Sequence, residues 1–243
     1  LTAGAIATLV AFTTLMIYVG IYTPMKRWTS LATVVGAVPG ALPPLIGWAA
    51  AGGSLAALLP WSLFAIMFLW QLPHFLAIAW MYREDYARAG LPMLPVVDGD
   101  GALTGRQAVL WATTLVPVSQ MPFLLGLTNA VYAIGALVIG VLQLLVAIRF
   151  AIDRTRSNAR ALFLASITYL PLLWLLMALG LPVVGAAAKG LPELIASEHN
   201  GLLFEPDNPD AMAQCMLRMA ARTKRRRRMG RNAMLFAANY NIP

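Results

Sequence analysis

The chain has 243 residues, 60% hydrophobic and only 12% charged, with a mean hydropathy index of +0.71. A soluble domain carries about 25% charged residues, so this composition excludes an ordinary soluble enzyme and points to a polytopic membrane protein. The lone cysteine, Cys215, excludes an intramolecular disulfide framework and a cysteine-rich zinc site.

The net charge of +8 is unevenly placed. Half of the Lys/Arg and half of the Asp/Glu residues lie in the last quarter, 181–243. The chain opens at Leu1 with neither Met nor a basic n-region, so its first segment does not read as a signal peptide. It reads as a chain cut from something longer.

In chain order, the apolar runs predict six transmembrane helices, A to F. Helix A covers Leu1–Tyr22, B Leu31–Ala51 and C Leu55–Trp80, with Gly52-Gly53-Ser54 separating B from C. Helix D covers Ala108–Leu127, E Ala130–Ile148 and F Ala161–Leu179. Each is close to the ~20 residues a spanning helix needs. Helix B is crowded with Gly36, Pro39, Gly40, Pro43, Pro44 and Gly47. That pattern reads either as close packing with kinks or as a broken helix lining a cavity.

The basic residues alternate between loops. Lys26 and Arg27 follow A, Arg83, Arg88 and Arg106 lie between C and D, and Arg149, Arg154, Arg156 and Arg160 flank the E–F connection. The B–C and D–E turns hold no Lys or Arg. By the positive-inside rule the A–B, C–D and E–F loops are cytoplasmic.

The C–D loop is the longest and opens Tyr82-Arg83-Glu84-Asp85-Tyr86. Carboxylates suit Mg²⁺, which is commonly held by one or two of them together with substrate phosphates. Arginine suits the remaining phosphate oxygens. The same residues also read as a solvated loop with anchoring charges. Helix C ends Trp70-Gln71-Leu72-Pro73-His74-Phe75. If the helix continues, Gln71, His74, Ile78 and Asp85 fall within about 60° of one face. Intramembrane Gln and His usually face the bundle interior or a cavity. His74 reads either as a buried histidine satisfied by a neighbour, or as a cavity lining or porphyrin contact. Lys26 and Arg27 read as anchors or as diphosphate-neutralising cations. Asp98 and Asp100 read as turn chemistry, and Arg106 as a helix-end anchor.

Four segments together resemble the protohaem IX farnesyltransferase family, the haem O synthases of the UbiA superfamily. They are Tyr22-Thr23-Pro24-Met25-Lys26-Arg27, Gly40-Ala41-Leu42-Pro43-Pro44-Leu45-Ile46-Gly47-Trp48, Trp70-Gln71-Leu72-Pro73-His74-Phe75, and Asp85-Tyr86 followed by Ala89-Gly90-Leu91-Pro92-Met93-Leu94-Pro95. The resemblance covers residues 1 to about 179. It implies an all-α bundle of about nine transmembrane helices, of which the six here are the last, and two acidic motifs that hold Mg²⁺ and prenyl diphosphate. The first motif would lie upstream of Leu1, and Glu84 and Asp85 occupy the second. No carboxylate stands at Ala89, so a generic Asp-x-x-x-Asp spacing is not met. The implied reaction transfers farnesyl from farnesyl diphosphate to the vinyl group of haem B, giving haem O and diphosphate. The resemblance implies metal-holding Asp85 and Glu84, catalytic Asp85, Lys26 and Arg27, and substrate contacts from Gln71, His74, Arg83 and Arg88. It also implies a multi-pass protein of the inner (plasma) membrane, surrounded by lipid, with cytoplasmic active-site loops. With one acidic motif only, this chain alone is expected to be inactive.

After helix F the text changes. Leu181-Pro182-Val183-Val184-Gly185, Lys189-Gly190-Leu191-Pro192-Glu193, Asn200-Gly201-Leu202-Leu203-Phe204-Glu205-Pro206 and Arg228-Met229-Gly230-Arg231-Asn232-Ala233 resemble the last stretch of a GT-B glycosyltransferase. That family's paired-glutamate motif should precede Leu181 and is missing. The expected domains are therefore a membrane domain, 1–180, and a small α/β-like tail, 181–243, of roughly β-α-β-α-α order. Because F exits on the non-cytoplasmic side by alternation, the join reads as a chimeric or truncated product. The basic run Lys224–Arg228 has no interleaved aromatics and reads as a solvated helix face rather than a nucleic-acid site. The competing functions are a glycosyltransferase remnant on a membrane anchor and a non-enzymatic transporter. A transporter predicts internal repeats, and none is convincing here.

Overall fold

The computed structural model describes residues 2–179, 183–188, 191–221, 224–225 and 228–233. The chain forms two compact units, the first Leu1–Ser119 with Leu137–Pro171, the second Gln120–Ala136 with Leu172–Pro243.

The first unit begins with α1 (Thr2–Met16), which runs through a π-helical segment, Ile17–Tyr22, into α2 (Thr23–Met25). Pro24 accounts for the wide turns. It has no N–H, and its ring collides with a carbonyl four residues back. Widening passes both the N–H and the hydroxyl of Thr23 to the Tyr18 carbonyl instead. Predicted helix B is two pieces, α3 (Ala32–Ala41) and α4 (Pro43–Ala50), joined at Leu42. Pro43 and Pro44 start the second piece, where their missing N–H groups cost nothing. The broken-helix reading of B therefore holds for its backbone.

Next come α5 (Leu58–Met81) and the short α6 (Arg83–Arg88) and α7 (Leu94–Val97), then α8 (Ala102–Val118). The long α10 (Ala130–Ile152) and α11 (Arg156–Leu179) each contribute to both units. The core of the first unit joins Leu76, Ala77 and Trp80 of α5, Ala108 and Ala112 of α8, Ala147 and Phe150 of α10, and Ala159 and Leu162 of α11. Alanines let the helix backbones approach, the usual device where lipid removes any hydrophobic drive between helices.

Among the described residues, five helices are long and apolar enough to cross a membrane, Gly4–Met25, Ala32–Ala50, Leu58–Met81, Ala130–Ile152 and Arg156–Ala178. The sixth, predicted as Ala108–Leu127, is corrected. Its counterpart α8 starts at Ala102, spends its first two turns on Thr104, Arg106 and Gln107, and stops at Val118. Pro122 cannot donate to the Val118 carbonyl, so the helix breaks and restarts as α9 (Met121–Leu124).

In the second unit, Asn129 Oδ1 accepts from the Tyr132 N–H at the start of α10. The tail holds β1 (Val183–Ala186), α12 (Leu191–Leu194), β2 (Gly201–Phe204) and α13 (Pro209–Ala221). The two strands pair in parallel, Val183 opposite Gly201 and Ala186 opposite Phe204. Leu202, Cys215 and Met229 close a small core beneath them. Glu198 pairs with Arg218 and Arg225.

Candidate functional site

Three of the loops in the first unit meet at one end. The Thr33 hydroxyl, in the first turn of α3, donates to the Met93 sulfur at 3.9 Å. Arg154 Nε, between α10 and α11, donates to the Asp100 carbonyl at 2.9 Å. The chain after Lys26 and Arg27, the acidic loop and the α10–α11 connection therefore share a side, as the charge alternation predicts. Lys26 is half-buried and Arg27 exposed.

The acidic residues lie on α6, and here one expectation is corrected. The face linking Gln71, His74, Ile78 and Asp85 assumed a continuous helix, but α5 ends at Tyr82 (φ −113°, ψ 22°). The 24 residues of α5 rise about 36 Å, already more than the ~30 Å hydrocarbon core. The chain then starts afresh with Glu84 and Asp85 in the first turn of α6 and Arg88 in its last, the placement a helix dipole favours. Gly90 (φ 66°) ends it, because a left-handed residue there lets the Leu91 N–H reach the Tyr86 carbonyl and the Gly90 N–H the Ala87 carbonyl. Arg83, Glu84, Asp85 and Arg88 are all exposed.

Their charges are not equivalent. Arg88 pairs with Asp85 Oδ1. The Arg83 guanidinium lies 4.5 Å from the centre of the buried Trp80 ring and forms no ion pair among the described residues. Glu84 is likewise unpaired among them. No group of three or more His, Cys, Asp or Glu side chains converges as a metal cage among the described residues.

The interior polar residues take different partners. Gln71 is buried, and its amide nitrogen donates to the Ala37 carbonyl of α3 at 2.7 Å. Gly40 makes room for it, since a Cβ there would stand 2.4 Å from Gln71 Oε1. Half-buried His74 turns to α11, with Nδ1 2.8 Å from Ser166 Oγ. Trp70 also reaches α11, donating from Nε1 to the Ser166 carbonyl at 2.7 Å. The sequence reading missed Ser166, Phe163 and Trp80. The i, i+4 spacing of Trp70 and His74 was a readable signal for ring stacking, whereas Ser166 needs tertiary structure.

Asp98 and Asp100 behave as turn and cap residues. Asp98 Oδ2 accepts from the Thr104 N–H and hydroxyl, and Asp100 Oδ1 from the Ala102 N–H. Partial burial works to raise the Asp98 pKa, but the Thr104 donors outweigh it and hold the carboxyl below the ordinary aspartate value.

Comparison with known proteins places this geometry. The UbiA prenyltransferase family matches residues 1–170. Glycosyl transferases group 1 matches residues 176–235. The chain is similar to the protoheme IX farnesyltransferases of Solibacter usitatus (53% identical over 169 residues, 70% of this chain and 58% of the relative) and Koribacter versatilis (44% over 179 residues, 70% and 56%). A third, from Opitutus terrae, is 46% identical over 168 residues, 69% of this chain and 57% of the relative. The chain thus spans between half and three-fifths of the length of these curated relatives. No solved structure matches it. A helical membrane bundle, an acidic helix and two basic residues gathered at one end, and a match over most of the chain agree: the chain belongs to the UbiA prenyltransferase family.

Proposed function

We propose that residues 1–180 form part of a prenyl-transfer site that moves farnesyl from farnesyl diphosphate to the vinyl group of haem B, giving haem O and diphosphate. The observation that carries this reading is the Thr33–Met93 hydrogen bond, which brings the start of α3, seven residues after Lys26, to the loop that follows Glu84 and Asp85 of α6. Charge develops on the departing diphosphate, and fixed cations beside it lower the barrier. On this reading Lys26, Arg27 and Arg83 supply that positive charge. Arg88 shares its charge with Asp85.

Mg²⁺ fits this donor set. Glu84 is unpaired among the described residues, and only one Asp85 oxygen is spent on Arg88. Two exposed carboxylates plus diphosphate oxygens are the set this hard cation takes, needing no all-protein cage. When bound, Mg²⁺ would neutralise the leaving diphosphate. The apolar interior excludes water from the allylic cation. On this reading His74 belongs to the acceptor side, while Gln71, bonded to the Ala37 carbonyl, holds α3 against α5. We place the protein in the plasma membrane with the α6 end cytoplasmic, following the positive-inside rule. Residues 181–243 we assign as a separate glycosyltransferase-like domain.

The test is a chimera in which residues 1–170 replace the matching segment of the Solibacter usitatus relative. Haem O formation from haem B, farnesyl diphosphate and Mg²⁺ supports the reading. A stable, membrane-inserted chimera that makes none overturns it.

A further inference from the structure

The hydrogen bonds around His74 determine where its ring proton sits. Ser166 Oγ is 2.6 Å from the Phe163 carbonyl oxygen and 2.8 Å from His74 Nδ1. A hydroxyl has one hydrogen, and a carbonyl oxygen has none to give. The Ser166 hydrogen therefore points to Phe163, and Ser166 can only accept from His74. In the neutral ring Nδ1 is the protonated nitrogen, and Nε2 keeps its lone pair. Among the described residues Nε2 has no hydrogen-bond partner.

The ring is also held in place. It lies near-parallel to Trp70 (centroids 5.2 Å apart, 19° between planes) and to Phe163 (5.0 Å, 25°). Trp70 is itself tied to the Ser166 carbonyl. An imidazole that donates from one nitrogen to a fixed partner and offers the other as a bare lone pair has the arrangement of a metal-ligating histidine. No other histidine lies in the first unit.

We propose that His74 Nε2 is an axial ligand to the iron of the porphyrin acceptor, with Ser166 as the positioning residue that selects the tautomer. The proposal rests on the reading that haem B is that acceptor. Binding forms one Fe–N bond, releases no proton, because Nε2 carries none, and changes no oxidation state. Iron ligation would fix the macrocycle by its centre and so set which edge meets the prenyl cation.

The test uses the purified chain in detergent with two probes, haem B and iron-free protoporphyrin IX. Haem B is expected to bind about tenfold or more tighter than the iron-free porphyrin. Its ferrous form should show an iron–histidine stretching band by resonance Raman. His74→Gly should erase the affinity difference and the band, and added imidazole should restore a ligated spectrum. Ser166→Ala keeps the ring and should weaken the iron-dependent part of binding by about tenfold. It also decides the matter if His74→Gly fails to fold. Equal binding of both porphyrins to the wild-type chain, or an iron–histidine band that survives His74→Gly, overturns the proposal and leaves haem B as the acceptor. No binding of either porphyrin above empty micelles overturns both readings.

Discussion

Helix α5 and the short helix α6 are separated by a single residue, yet they treat polar side chains in opposite ways. Gln71 and His74 lie within the apolar span, and each has a partner on another helix, Ala37 for one and Ser166 for the other. Glu84 and Arg83, a few residues on, have no ion-pair partner among the described residues. The difference follows from the solvent. In hydrocarbon an unpaired amide or imidazole is costly, so the fold must supply a partner. At the membrane surface water does so, and a carboxylate is left available for a ligand. Interior polar residues here tie helices together, whereas on α6, among the described residues, Asp85 and Arg88 pair only with each other and Glu84 is left to water.

The sharpest way to break that contrast is to remove one charge from α6. In the chimera, Asp85→Ala is expected to lower haem O formation by about 10²–10³-fold, the scale of losing one positioned electrostatic group. The thermal midpoint of the extracted protein should stay unchanged, because the Asp85–Arg88 pair is exposed and such pairs add little stability. Activity within a few-fold of the parent would remove Asp85 from the site. A large fall in the midpoint would show that α6 is structural after all.

Gln71 should give the reverse pattern. Gln71→Ala removes the bond to Ala37 and leaves a void beside Gly40, and should cost about 1–3 kcal/mol of stability. Gly40→Ala tests the same contact from the other side, since its Cβ would press on Gln71 Oε1. Both are read as lower midpoints, with porphyrin binding per folded molecule retained. If Gln71→Ala melts like the parent but loses porphyrin affinity, Gln71 is a substrate contact and not a tie.

These two outcomes also mark what was readable in the sequence. Apolar runs and loop charges placed the spans and the shared end, because lipid thickness and the positive-inside rule act on composition alone. The prolines of helix B announced its break, since a missing N–H is a local fact. The break at Tyr82 was not legible. No proline or glycine stands there, and it took the completed rise of α5 to end the span, so Asp85 was projected onto a face that stops short of it. Ser166 was also invisible, being an ordinary serine 92 residues from His74 in sequence. Helix D was misjudged because its apolar letters continue past Pro122 while its backbone cannot.

Gln143 sharpens the contrast by violating it. It is 2% exposed in α10, and neither amide atom has a hydrogen-bond partner among the described residues. Such a group costs more than an apolar one of similar shape. Gln143→Leu is therefore expected to raise stability by about 1 kcal/mol, seen as a higher thermal midpoint. A lower midpoint would mean that the amide is satisfied in the folded protein and belongs with Gln71.

Asp98 is the mirror case, a surface carboxylate that the fold itself uses. It accepts two hydrogen bonds from Thr104, beside the one that Asp100 accepts from Ala102, and together they satisfy donors at the start of α8. Asp98→Ala should cost about 1 kcal/mol or less, the range of a helix-capping group. The acid dependence gives the cleaner test. The folded Asp98 carboxyl titrates below its ordinary value, because the Thr104 donors outweigh the opposing effect of burial. The folded protein therefore binds this proton less readily than the unfolded chain. The stabilisation is complete above the unfolded value, about 3.9, and is lost as pH falls from there through the lower folded one. Asp98→Asn keeps an acceptor for Thr104 but cannot titrate. The midpoint difference between parent and Asp98→Asn should accordingly be constant from neutral pH to about pH 5 and shrink below about pH 4. A difference that persists unchanged to pH 2 would show that the Thr104 contacts do not favour the charged carboxylate, and Asp98 would then rank with the solvated charges of α6.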